Sequence, residues 1–296
     1  MPTITDEIKA SFRNGTAVVK LIYINLAVFI VVKLFYVFLV LFGAPDLADS
    51  FLSYLMLPAS LEKLLHRPWG VISYMFLHFD FLHILFNLIW FFWFGRIFLR
   101  YLNEKQLIAT YLLGGIFGAA LFILSYNVLP GLIVHMPMAE ALGASASVTA
   151  IIIAISFYAP NYTVNLIFIG PVKIKYIAIF FIITDLLQIA SENAGGHIAH
   201  LGGAIYGYLF AMRLKQGKDV GKFLNNFFDF IVNLFKRQPK MKVSYRNNTK
   251  GMDDMEYNKT KAEAQKEIDR ILDKIAKSGY DSLTKKEKET LFKMSK

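Results

Sequence analysis

Long apolar runs are the feature that most limits what this chain can fold into. The 296 residues are 55% hydrophobic and include 27 Phe, a content well above that of soluble domains. A membrane-spanning helix needs about 20 mostly apolar residues. Six candidates can be placed, at about residues 21–43, 79–100, 106–126, 143–159, 172–190 and 196–213. The sequence therefore predicts an all-α membrane protein with a six-span bundle in residues 21–213.

Basic residues predict the orientation of the bundle. Lys and Arg near the ends of membrane spans favour the cytoplasmic side, and here they concentrate on the side that carries both termini. We therefore predict cytoplasmic termini, with residues 1–20 as a cytoplasmic N-terminal segment without a cleavable signal peptide. We expect the bacterial inner (plasma) membrane as the location. The chain has no Cys, which excludes disulfides and thiolate metal sites.

A basic, helical cytoplasmic tail is predicted after the last span. Residues 214–296 hold 20 of the 32 Lys and Arg and 12 of the 22 Asp and Glu. Residues 214–237 have the pattern of an amphipathic helix on the membrane surface, residues 238–258 read as a linker, and residues 259–296 as a helical hairpin. Acidic residues interleave the basic ones, so we expect no nucleic-acid binding. A regulatory module, a membrane anchor and a site for a cytoplasmic partner all remain open for this tail.

Within the hairpin, Gly279 is expected to end the first helix. Thr284 and Glu287 have the spacing of a capping box for the second helix. An apolar stripe is predicted on the first helix, formed by Ile268, Ile271, Leu272 and Ile275.

Two histidine clusters lie at membrane depth, where polar residues are functional candidates by default. His83 and Asn87 are four residues apart and share a helix face, either as an interhelical hydrogen-bonding pair or as two donors to a developing anion. His197 and His200 lie on the last span, and Gly203 follows His200 by three residues. That pattern fits close packing, or a metal site shared with His83 and Glu192.

The stretch "ALGASASVTA", residues 141–150, contains the third cluster. Gly143 can begin a helix, which places Ser145 in the first turn at its polar end. Local context favours simple small-residue packing for both Ser145 and Ser147. However, a serine, a histidine and a donor pair at similar depth on three spans also make a nucleophile, a base and an oxyanion site.

Three motifs in this order, "PWGVISYMFLHFDFLHILFNLIWFFWFG", "GASA" and "AHLGGAIYG", resemble those of the rhomboid intramembrane serine proteases. The resemblance covers roughly residues 20–213. It implies Ser145 as the nucleophile and His200 as the base. His197 is an additional histidine whose role stays open.

The same resemblance implies that His83 and Asn87 stabilise the oxyanion together with the Ser145 backbone N–H. Gly143 belongs to the same GxSx motif as the serine. A Ser-His dyad without an aspartate is implied, with no metal and no organic cofactor. The implied partners are the lipid bilayer and transmembrane proteins as substrates.

Two other functions compete with this protease. One is a non-catalytic rhomboid-like protein that binds transmembrane helices. The other is a metal-binding membrane protein or transporter that uses His83, His197 and His200.

Overall fold

The chain is mostly helical and divides into two compact units, Met1–Lys236 and Arg237–Lys296. The computed structural model describes residues 3–166, 169–191, 193–221, 226 and 254–294. The helices of the first unit are α1 (Ile4–Asn14), α2 (Ala17–Leu41), α3 (Pro45–Leu55), α4 (Leu61–His66), α5 (Gly70–Ser73), α6 (Phe81–Tyr101), α7 (Glu104–Val128), α8 (Pro130–Ile133), α9 (Ser145–Tyr158), α10 (Ile174–Leu187) and α11 (Ala194–Lys215). Those of the second unit are α12 (Asp254–Ser278) and α13 (Lys285–Met294).

Three helices, α2, α6 and α7, are long and apolar enough to cross a membrane. They occur where the first three spans are predicted. The helices α9 and α10 have 14 residues each, and α11 has 22 residues but is less apolar. These last three lie at the positions predicted for spans four to six, and their crossing of the membrane stays a prediction.

Glycines bring α7, α9 and α11 into close contact. A Cβ atom on Gly118 of α7 would lie 2.6 Å from the Cβ of Ala146, and one on Gly203 of α11 would overlap the carbonyl oxygen of the same Ala146. Residues 146–156 of α9 are all buried. Gly114 and Gly118 of α7 thus form a small-residue packing face against α9, which lies at the centre of the bundle.

Two short antiparallel strand pairs correct the all-α prediction. Strand β1 (Leu57–Pro58) pairs with β2 (Glu140–Ala141), and β3 (Thr163–Leu166) pairs with β4 (Gly170–Lys173). Pairs of two to four residues are too short to show a strand periodicity in the sequence. The second pair also takes up the residues around 172 at which span five was predicted to begin, so α10 starts at Ile174 instead.

The connection between α2 and α6 is held against the segment that precedes α9. Arg67 forms an ion pair with Glu140 at 2.8 Å, and the Lys63 ammonium donates to the Pro137 carbonyl at 2.7 Å. Both side chains of the Arg67–Glu140 pair are largely buried. Together with the β1–β2 pair, these contacts fix the strand that leads into α9.

In the second unit, Gly279 has φ 76° directly after α12, as expected of a glycine that ends a helix. The predicted capping box is confirmed, because the Thr284 N–H donates to the Glu287 carboxylate at 2.7 Å and the Glu287 N–H donates to the Thr284 hydroxyl. The Thr284 N–H, together with the Lys274 ammonium 3.0 Å away, lowers the pKa of Glu287 to about 2.

The predicted apolar stripe of α12 is only partly buried. Ile271 is buried, whereas Leu272 is exposed, because the two neighbours lie about 100° apart around the helix. Helix α12 begins at Asp254, before the expected end of the linker at residue 258. The rest of that linker, and most of the amphipathic helix predicted over 214–237, lie outside the described residues.

Candidate active site

A cavity of about 1120 Å³ lies among α6, α9, α10 and α11 in the first unit. Ser145, His200, His83 and Asn87 all line it, although they come from three separate helices. Asp185 of α10 lines the same cavity. The polar residues that the motifs single out are thus brought together around one space.

Ser145 is the first residue of α9, and the turn before it is held by the rest of the bundle. The Gly143 N–H donates to the Tyr74 carbonyl at 2.9 Å, and the Ala144 N–H donates to Nε2 of His78 at 3.3 Å. The first backbone N–H groups of a helix have no partner within it. The Ser145 N–H therefore stays available beside its own hydroxyl.

Gly143 has a backbone conformation that other residues rarely adopt, with φ +130°. A Cβ atom at this position would lie 3.0 Å from Nε2 of His83 and 3.5 Å from Oγ of Ser145. The His83 imidazole and the Ser145 hydroxyl therefore both lie next to the backbone of Gly143. A glycine is needed here both for its φ and for the space that His83 occupies.

Asn87 lies one helical turn after His83 on α6. Its side-chain amide donates to the His83 carbonyl at 2.9 Å. An amide nitrogen carries two hydrogens, so the second remains free to donate to another acceptor. Asn87 is mostly buried but still lines the cavity, as His83 does.

His200 and His197 share one carboxylate oxygen. Oδ1 of Asp185 lies 2.8 Å from Nδ1 of His200 and 2.9 Å from Nδ1 of His197. The two imidazole rings meet edge to face, with centroids 5.7 Å apart. His200 lines the same cavity as Ser145, whereas His197 is not among the described residues that line it. This difference separates two histidines that the sequence left only partly distinguished.

Asp185, His197 and His200 form the one group of metal-ligand type found among the described residues, with ligand atoms within 4.8 Å of one another. The distances of 2.8 and 2.9 Å to Oδ1 are those of N–H···O hydrogen bonds. The contacts are therefore satisfied without an ion. His83 is not part of this group, and Glu192 lies outside the described residues.

Ser147 is fully buried behind the cavity. Its hydroxyl lies 3.9 Å from the sulfur of Met75, and a Cβ atom on Gly115 would lie 2.7 Å from that hydroxyl. This position agrees with the small-residue interpretation of Ser147.

Two residues at the site were not assigned a role from the sequence. Asp185 is an acid within an apolar helix, and a buried carboxylate requires a partner, but spacing along the chain does not show that the partner lies on α11. His78 is buried, and this burial together with the nearby His83 lowers its pKa to about 3. A neutral imidazole is what allows His78 to accept the Ala144 N–H.

Comparisons with known proteins agree with these motifs. A family described as the Rhomboid domain matches residues 65–217. A family of unknown function, DUF6576, matches residues 252–296. RHOMBOID-like protein 12, mitochondrial, from Arabidopsis thaliana is 30% identical over 161 residues, which are 51% of this chain and 48% of that relative. The chain thus spans about half the length of this curated relative.

Proposed function

The chain belongs to the rhomboid family, and we propose that it is an intramembrane serine endopeptidase that cleaves transmembrane segments. Ser145 is the nucleophile and His200 the general base. The observation that carries the proposal is the convergence of Ser145, His200, His83 and Asn87 on one cavity. The three candidate spans and the family make the chain a multi-pass membrane protein, so its substrates reach the cavity from the bilayer.

In the acylation step, Oγ of Ser145 attacks the peptide carbonyl carbon while His200 takes the hydroxyl proton. The C–N bond then breaks, and the imidazolium returns this proton to the leaving amine. A water molecule next attacks the acyl-enzyme, again with His200 as base, and releases the carboxylic acid and the free serine. The step needs no metal and no organic cofactor.

The negative charge on the former carbonyl oxygen is stabilised by donors on α6 and α9. His83 and the free amide hydrogen of Asn87 approach from α6, and the Ser145 N–H approaches from the first turn of α9. Nε2 of His83 and Oγ of Ser145 both lie close to Gly143, so the oxygen of a carbonyl that Ser145 attacks would lie near the His83 imidazole. Each preorganised donor of this kind contributes about 10²- to 10³-fold to the rate.

A peptide bond in a helix is shielded by its own hydrogen bonds, so a substrate must first unwind locally. We therefore expect substrates with helix-weakening or small residues near the end of their transmembrane segment. The cavity has room for an extended stretch of a few residues together with water. Water is also a reactant, which explains why polar groups line a space inside a membrane protein.

The topology completes the proposal: six spans, cytoplasmic termini and tail, and a cavity that opens to the opposite side. The basic residues near the span ends support it. The bacterial inner membrane remains our proposed location, although the curated relative is, by its name, mitochondrial.

The decisive test compares Ser145→Ala with Ser147→Ala in the full chain, reconstituted in liposomes with a transmembrane reporter substrate. Both variants lose one hydroxyl from the same helix. We expect Ser145→Ala to abolish cleavage and fluorophosphonate labelling, and Ser147→Ala to keep both within about threefold. In the same assay His200→Gln should be inactive, and the cleavage rate of Asn87→Ala should fall about 10²-fold.

Cleavage that persists in Ser145→Ala would disprove the assignment of the nucleophile. A folded wild-type protein that binds transmembrane helices, but is neither labelled nor able to cleave them, would instead support the non-catalytic alternative.

The orientation can be tested with single-cysteine variants, because the natural chain has no Cys. Ile4→Cys and Ile169→Cys should react with a membrane-impermeant maleimide only from the cytoplasmic side, and Leu65→Cys only from the opposite side. All three side chains are strongly exposed. The reverse pattern would invert the proposed topology.

A further inference from the structure

We infer that Asp185 is a positioning residue for the base: its carboxylate holds the proton of His200 on Nδ1, so that Nε2 is left free toward Ser145. The inference deepens the proposed function and rests on it for its catalytic meaning. It adds a third, acidic member to a site for which the motifs imply only a serine and a histidine.

The first step of the argument is the chemistry of the shared oxygen. A carboxylate can only accept hydrogen bonds, and Oδ1 of Asp185 lies 2.8 Å from Nδ1 of His200 and 2.9 Å from Nδ1 of His197. If both Nδ1 atoms donate, Oδ1 accepts two hydrogen bonds. A protonated Asp185 could donate to only one of them. The arrangement therefore favours an ionised Asp185 with the proton of each neutral ring on Nδ1.

The second step is burial. Asp185 is 6% exposed, and a buried carboxylate is costly unless it is hydrogen-bonded to donors. The side chains of His197 and His200 are 13% and 21% exposed. Among the described residues, these two rings are the polar partners recorded for the carboxylate. The two histidines of α11 therefore explain why a carboxylate is found in the mostly apolar helix α10.

The third step is the difference between the two histidines. His200 lines the cavity with Ser145, and His197 does not appear among the described cavity residues. They lie one turn apart on α11, with rings edge to face, so both can reach the same oxygen from different sides. We assign His200 to the chemistry. His197 then supplies a second bond that holds Asp185 in place.

A neutral histidine can accept a proton from serine only on the nitrogen that lacks one. With Nδ1 protonated by virtue of Asp185, Nε2 is that nitrogen, and the imidazolium formed during acylation is stabilised by the nearby carboxylate. Without Asp185, His200 would distribute between two tautomers and more than one ring orientation. The substitution would therefore lower the rate of the chemical step.

The experiment measures the rate of fluorophosphonate labelling and kcat for the wild-type full chain, Asp185→Asn, Asp185→Glu and His197→Leu in the same detergent. We expect Asp185→Asn to lower both rates about 10- to 100-fold with a folded protein. Asp185→Glu should recover part of the rate, because it restores the acceptor. His197→Leu should lower both rates less than Asp185→Asn does, because it removes one of the two bonds to the carboxylate and leaves the His200 contact intact.

A spectroscopic readout tests the contact without relying on activity. In ¹⁵N-histidine-labelled protein, the His200 signal, assigned with His200→Gln, should show the Nδ1–H form with a strongly downfield proton. This signal should be lost in Asp185→Asn and kept in His197→Leu. If Asp185 were merely structural, Asp185→Asn would lower the unfolding temperature. It would leave the His200 tautomer and the labelling rate of the folded fraction unchanged.

The outcomes separate the inference from the proposed function. If the wild type shows the Nδ1–H form but is neither labelled nor able to cleave, the protease proposal fails and the Asp185 contact stands. If the wild type is active and Asp185→Asn matches it in rate and tautomer, the inference is overturned. A stoichiometric metal in the purified wild type that disappears in Asp185→Asn would also overturn it, in favour of a metal site.

Discussion

Helices α2 and α9 are both strongly apolar, but they face different surroundings. Helix α2 has 25 residues, about 37 Å at 1.5 Å per residue, and only 11% of its most apolar 18-residue window is buried. Helix α9 has 14 residues, about 21 Å, and residues 146–156 are all buried. The first is long enough for a hydrocarbon core of about 30 Å. The second is shorter than that core and is surrounded by protein.

The difference explains where a polar site can lie within a membrane protein. A helix that contacts lipid must cover the full apolar thickness, because unpaired backbone groups are costly there. A helix enclosed by α7 and α11 can begin inside the bundle, where groups of the bundle accept from the backbone before it, as His78 does for the Ala144 N–H. The free end of α9 is therefore the place where Ser145 can meet polar partners.

The largest effect is expected from filling the space between α9 and α11. Gly203→Val would place a side chain against the carbonyl of Ala146, and this backbone cannot move without displacing α9. We expect the free energy of unfolding to fall by about 3 kcal/mol or more, and we expect no cleavage activity. Ala27→Val, which enlarges an exposed position of α2, should be nearly neutral. Thermal unfolding in detergent measures both, and equal effects would contradict the contrast.

Truncation of an isoleucine to alanine should destabilise the protein by different amounts on the two helices. Ile151 of α9 is fully buried, whereas Ile30 of α2 is 52% exposed. Ile151→Ala leaves a cavity and should lose about 2 to 4 kcal/mol. Ile30→Ala removes mainly contacts with lipid, and lipid then contacts the smaller apolar side chain instead. Its free energy of unfolding should fall by less than about 1 kcal/mol. Unfolding titrations of the two variants provide the comparison, and a larger loss for Ile30→Ala would refute it.

A third prediction concerns the turn that begins α9. Gly143→Ala forces a side chain into a φ of +130° and toward His83. We expect a destabilisation of about 1 to 3 kcal/mol and a fall in kcat that exceeds the change in KM, because His83, the proposed oxyanion donor, is displaced. Steady-state kinetics on the reporter substrate, alongside the unfolding temperature, test this. Unchanged kcat would show that the Gly143 turn does not position His83.

The smallest effect is a pH dependence from His78, which holds the start of α9 through the Ala144 N–H. Its pKa is about 3 in the folded protein and 6.5 ordinarily. The unfolded chain therefore binds the extra proton between these values, and stability falls as the pH decreases below 6.5. Near pH 5 this amounts to about 1 to 2 kcal/mol.

The check is the unfolding temperature of wild type and His78→Gln at pH 7.5 and pH 5. The glutamine carbonyl can still accept the N–H but does not titrate, so the variant should lose less stability on acidification. His66→Gln, on the exposed helix α4, serves as the control and should behave as wild type. A His78→Gln protein with the full wild-type pH dependence would argue against this role.

Local patterns predicted those parts of the fold that depend on neighbouring residues in the chain. The apolar runs located α2, α6 and α7, the spacing of Thr284 and Glu287 predicted a cap that the structure contains, and Gly279 marked a helix end. The β1–β2 pair escaped prediction because its strands lie more than 80 residues apart and have two residues each. Such a pair is decided by the packing around it, not by its own sequence.

The sequence by itself determined the order of the motifs, the apolar character of the core helices and the glycines that permit close packing. These features follow from side-chain chemistry and from the 3.6-residue helical period, which places His83 with Asn87 and Gly203 with His200 on shared faces. Only the tertiary structure decided that His200 rather than His197 lines the cavity, and that Asp185 of α10 meets both rings. The physical reason is that helical spacing fixes neighbours within one helix, whereas partners on other helices are set by how glycine contacts let those helices approach and rotate.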